Sequence, residues 1–163
     1  MGMQLGCLII LCMERTLLNN IEQLVDLGAT FELRVTGFSM LPLLGYGNDK
    51  IIIRRIDEKE IITDRIAMFR TAQGRIIVHR VVALEDGVVK LKGDGNLYGY
   101  EYCNRKKIIG IVEGVVRQNG RVVSCRSKLW RMREKIWLCQ PLIIRRFALA
   151  IMRHWLNFKR NNK

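Results

Sequence analysis

The chain lacks any apolar run that could cross a bilayer, which takes about 20 residues. The opening stretch of residues 1–12, MGMQLGCLIILC, is too short, and no Lys or Arg precedes it as an export signal would require. Two readings of those residues stay open: translation starts at Met13, or they form a short membrane-touching arm. The five cysteines are odd in number and include no Cys-x-x-Cys pair, which argues against a metal site or a disulfide framework. No cofactor is expected. Scattered reduced thiols point to a cytoplasm-facing protein. Repeats and low-complexity linkers are also missing, so 163 residues with 49% apolar content read as one folded body rather than a disordered chain.

Acidic residues are few, and the shortage is local. The formal charge is +13, with 28 Lys and Arg against 15 Asp and Glu. Residues 126–163 carry eleven of those cations and a single carboxylate, Glu134. The basic character therefore belongs to a tail. Such a tail suits an acidic partner, and an anionic membrane surface is the partner expected for residues 126–163. Nucleic acid is disfavoured because no known binding fold accompanies the charge.

Three segments follow from hydrophobic periodicity. Leu17, Leu18, Ile21, Leu24, Val25 and Leu27 recur at helical spacing and predict an amphipathic helix over residues 15–27 within an N-terminal segment, 1–28. Residues 29–124 are β in character. Ile- and Val-rich runs at 30–35, 50–55, 65–70, 75–83, 87–92, 108–116 and 121–124 are separated by turn signals such as Asp86-Gly87 and Asn119-Gly120. Many short strands at regular spacing predict a mainly β fold, a coiled antiparallel barrel. Residues 125–163 hold all three tryptophans among arginines at helical spacing, and Pro141 should divide them into two helices. Those helices either lie in a membrane interface or pack on the barrel.

The stretch that carries chemistry is Gly37-Phe38-Ser39-Met40-Leu41-Pro42. A serine hydroxyl is a weak nucleophile and needs a base. His79, in the run Val78-His79-Arg80-Val81, can supply one: a neutral imidazole accepts a proton near pH 7 without a large shift. Lys92-Gly93-Asp94-Gly95-Asn96 offers a carboxylate. Alone, each box also reads as ordinary structure: a strand-exit turn, a histidine packed in a sheet, and a Gly-Asp-Gly-Asn turn.

Together and in this order, the boxes resemble those of serine peptidases of the signal-peptidase clan, to which LexA-like proteins also belong. The match covers about residues 30–116. The histidine, followed by Arg and an aliphatic pair, is similar to the endoplasmic-reticulum, archaeal and spore-former type. Ile108-Ile109-Gly110-Ile111 resembles the family's closing strand. The resemblance implies a barrel of the signal peptidase/LexA type, with Ser39 as nucleophile, His79 as base and Asp94 orienting His79. It implies an oxyanion site around Gly37 and Met40, resting on main-chain N–H groups because Gly37 stands where many bacterial relatives carry a serine. The implied substrate is a polypeptide with a leader or signal segment. The runner-up is an inactive relative that binds peptide or scaffolds a complex. A self-cleaving regulator is disfavoured, because roughly 28 upstream residues cannot hold a DNA-binding unit. The expected location is cytoplasmic or peripheral to a membrane; the family habit favours the outer face and the reduced thiols the cytoplasm.

Overall fold

In the computed structural model, residues 30–45 and 49–161 are described. The helix expected at residues 15–27 lies outside them. Eight strands form one antiparallel sheet: β1 (Phe31–Arg34), β2 (Lys50–Arg54), β3 (Ile66–Arg70), β4 (Ile76–Glu85), β5 (Val88–Lys92), β6 (Glu101–Asn104), β7 (Ile108–Val116) and β8 (Val122–Ser124). Their spatial order is β1-β2-β7-β3-β4-β5-β6, with β8 alongside β7. The hairpin between β4 and β5 turns on Asp86 and Gly87, with φ of 45° and 80°. Two positive angles in succession suit the right-handed twist of a two-residue hairpin.

The sheet curls into a half-barrel, and β1 and β6 end its strand order without pairing to each other. The sequence of β3 shows that both faces of the sheet are buried. Side chains alternate faces along a strand, yet Ile66, Ala67, Met68 and Phe69 are all buried. Ile66 and Met68 enter one core with Met40, Leu44, Ile53, Val112 and Val115. Ala67 and Phe69 enter another with Val81, Val89, Leu91 and Ile111. The sheet is apolar on both faces, and each face must be covered.

The tail covers part of this surface. Helix α1 (Lys128–Leu138) begins where Ser127 Oγ accepts a hydrogen bond from Trp130 N at 3.2 Å, an N-cap. Helix α2 (Leu142–Asn161) follows Pro141, as the break predicted there requires. Trp130 is fully buried in the first core. Trp137 and Leu149 close a third apolar cluster around Leu41. The tail is thus packed against the body along one side, and no helix among the described residues is long and apolar enough to cross a membrane.

Candidate active site

The Ser39 turn is held by its neighbours. Leu41 N donates to the Phe38 carbonyl at 3.2 Å and Leu44 N to the Met40 carbonyl at 3.0 Å. Met40, Leu43 and Leu44 sink into the first core, while Leu41 enters the cluster under the tail. Hydrophobic burial on both sides fixes the turn and leaves Ser39 half-buried at its bend. The Met40 side chain is a core residue, so any part it takes in an oxyanion site is through its main chain. Gly37 is exposed; a methyl group there would stand 3.9 Å from Ser39 Oγ.

His79 lies mid-strand in β4, opposite Ala67 of β3, with its ring tilted against Phe69 at 6.0 Å between centroids. Burial pushes its pKa below the ordinary imidazole value, and the Glu101 and Asp94 carboxylates offset this only in part. The ring is neutral near pH 7, the form that can take a proton.

The loop after β5 borders both the Ser39 main chain and the His79 ring. Gly95 N donates to the Ser39 carbonyl at 2.7 Å. A methyl group on Gly93 would sit 2.4 Å from that carbonyl oxygen, 2.9 Å from Asn96 Nδ2 and 3.1 Å from His79 Nε2. The Ser39 backbone and the His79 ring nitrogen therefore converge on one point that only glycine leaves open. At Gly95 a methyl would meet the Phe38 carbonyl at 2.6 Å, so the same loop lies flat on the serine turn.

Asp94 stands within this loop, but its carboxylate is taken up by Arg80 rather than by His79. Arg80 Nε donates to Oδ1 at 2.8 Å and Arg80 Nη2 to Oδ2 at 2.7 Å. This forked pair occupies both carboxylate oxygens. His79 Nδ1 has no hydrogen-bond partner. The relation of Asp94 to His79 is a charge nearby, with no hydrogen bond to orient the ring.

Arg80 anchors a second set of residues that the sequence boxes did not single out. Its Nη1 donates to the Asp64 carbonyl at 2.6 Å and to Glu134 Oε1 at 2.9 Å, and Trp130 Nε1 donates to the same Glu134 oxygen at 2.7 Å. Burial opposes the guanidinium's charge, but the Asp94 and Glu134 carboxylates outweigh it and hold Arg80 protonated. The tail also binds the loop's main chain. Trp137 Nε1 and Arg145 Nη2 donate to the Asp94 carbonyl at 2.9 and 2.8 Å, and Arg153 Nη2 donates to the Gly95 carbonyl at 2.8 Å. One signal for this role was present in the sequence: Glu134 is the lone carboxylate among eleven cations.

The buried cysteines are not alternative nucleophiles. Burial pushes Cys103 up to about 11 and Cys125 up to about 12, so neither forms a thiolate near neutrality.

Compared with protein-family models and with curated proteins, the chain matches none.

Proposed function

We propose that the chain is a serine endopeptidase of the signal-peptidase type, on a coiled β-sheet of the signal peptidase/LexA kind, that removes a leader or signal segment from a polypeptide. The observation that carries this reading is the proximity at Gly93: the Ser39 main-chain carbonyl and the Nε2 of a buried, neutral His79 both border that glycine. In the proposed reaction Ser39 Oγ attacks the scissile carbonyl carbon and His79 Nε2 takes the hydroxyl proton. The imidazolium then gives that proton to the leaving amine, and water, deprotonated by the same ring, hydrolyses the acyl-enzyme. Asp94 and Glu101 stabilise the imidazolium through space, since both carboxylates raise the affinity of His79 for a proton. Strand β1 supports the substrate's placement. Among the described residues it pairs on one side only, with β2, and it runs directly into the Ser39 turn. An extended peptide adding to its open edge would be led to the serine.

The test is the full chain with a quenched fluorescent leader peptide carrying small residues before the cleavage point. Wild type should cleave it, and Ser39→Ala and His79→Ala should each lose at least about 10³-fold in kcat/KM. Equal turnover by wild type and Ser39→Ala would remove the proposal. A second reading, an inactive relative that holds peptide, is favoured by the partnerless His79 Nδ1. Peptide binding by wild type without turnover would select it.

A further inference from the structure

Helix α2 presents three different sides. Arg145 and Leu149 face the body and are buried. A second side carries Arg146, and Arg153 at its edge reaches back to the Gly95 carbonyl of the body. The third carries Ile143, Ile144, Phe147, Ile151, Trp155 and Phe158, all exposed, with Ile151 and Phe147 at 70% and 66%. Steps of four and seven residues line these up along about four helical turns. Part of the stripe is a shallow depression of about 550 Å³ lined by Ala150, Ile151, His154, Trp155 and Phe158. An apolar face of this length has a use, since a soluble surface rarely leaves so much contiguous apolar area in water.

We propose that this face of α2 seats in the plane of an anionic lipid bilayer. Charge complementarity selects that occupant. Lys128, Arg131, Arg133, Lys135 and Arg146 are exposed on the two helices, while Arg126 beside them is paired with Glu113. The one carboxylate of the tail, Glu134, is occupied by Arg80 and Trp130. A second copy of the chain would bring like charge against like charge. Nucleic acid would use the cations but has little use for a stripe in which isoleucines and phenylalanines predominate. The helix does not span: Arg145 and Arg153 are bonded to the body's main chain, and no described helix meets the length and apolarity of a span. An amphipathic helix with cations beside large apolar side chains binds at the headgroup boundary instead. The loop around Asp94 and Gly95 is held by the opposite side of α2, so a bilayer on the stripe would lie about one helix diameter, roughly 10 Å, from that loop.

The experiment is sedimentation of the full chain with vesicles of phosphatidylcholine alone or with 30 mol % phosphatidylglycerol, a readout independent of peptidase activity. Binding should appear with the anionic vesicles and weaken at 500 mM salt. Each of Arg131→Gln, Arg133→Gln and Arg146→Gln should reduce the partition coefficient about fivefold. Phe147→Asp/Ile151→Asp should reduce it more than tenfold while the thermal transition stays unchanged, because both side chains are exposed. Trp130 and Trp137 are buried, so a blue shift of tryptophan fluorescence on binding would report Trp155. Failure of wild type to bind anionic vesicles would overturn the proposal. So would undiminished binding by the Phe147/Ile151 variant, or a lower oligomeric state in that variant, which would assign the stripe to a second copy. Binding of RNA in preference to vesicles would overturn it as well. A full-chain Leu17→Asp/Ile21→Asp variant that bound vesicles when wild type did not would give the face to residues 1–29.

Discussion

His79 and Arg80 are adjacent in β4, both buried, and they face opposite sides of the sheet. On one side the guanidinium meets two carboxylates and a carbonyl; its Nε, Nη1 and Nη2 each donate. On the other side the imidazole has an unpartnered Nδ1 and a Nε2 at the edge of Gly93. The fully bonded residue holds structure: it ties β4, the loop after β5 and α1 into one network. The residue left short of partners is the one free to exchange a proton. Burial treats both as unfavourable charges, and only the neighbours decide that Arg80 stays charged and His79 stays neutral.

The comparison breaks most severely when Arg80 is removed. Arg80→Ala would strand Asp94 and Glu134 without their cation, and urea denaturation should show a loss of about 3–5 kcal/mol. Gly93→Ala comes next, because its methyl would stand 2.4 Å from the Ser39 carbonyl and 3.1 Å from His79 Nε2. The turn or the ring must move, with an expected loss of about 1–3 kcal/mol in the same assay. Turnover should fall further than stability if the proposed reaction holds. Glu134→Gln keeps the shape but weakens the bonds from Arg80 and Trp130, and should lower stability by about 1 kcal/mol.

The smallest effect sharpens the other side of the strand. Folding lowers the proton affinity of His79, so at mildly acidic pH the unfolded chain binds a proton that the folded chain refuses. The stability tied to this group is complete above the unfolded value of ~6.5 and declines as pH falls below it, towards the lowered folded value. Denaturation midpoints between pH 7.5 and pH 5 should show that decline in wild type and a shallower one in His79→Asn. An unchanged slope would mean that the imidazole is not desolvated.

Much of the fold was legible because its strands announce themselves. The run at 108–116 became β7 with the same limits, and Asp86-Gly87 made the hairpin it suggested. Strand β6 was not read, because Glu101-Tyr102-Cys103-Asn104 is short and polar and owes its state to pairing with β5. Of the residues drawn from motif chemistry, the Ser39 main-chain carbonyl and His79 Nε2 both lie beside Gly93. The partner of Asp94 was not legible: the spacing shows that Arg80 faces away from His79, but not that a carboxylate and a tail helix wait there.

By itself, the order of residues determined a β body, a basic two-helix tail divided at Pro141, and the chemical types available for a hydroxyl-and-imidazole site. Those properties are local, set by side-chain period, turn residues and charge. The tertiary structure alone decided that the tail grips the Gly93-Asp94-Gly95 loop, that Asp94 belongs to Arg80, and that His79 is desolvated. Each of these depends on groups distant in the chain sharing one buried volume, where a charge must find a partner or be given up.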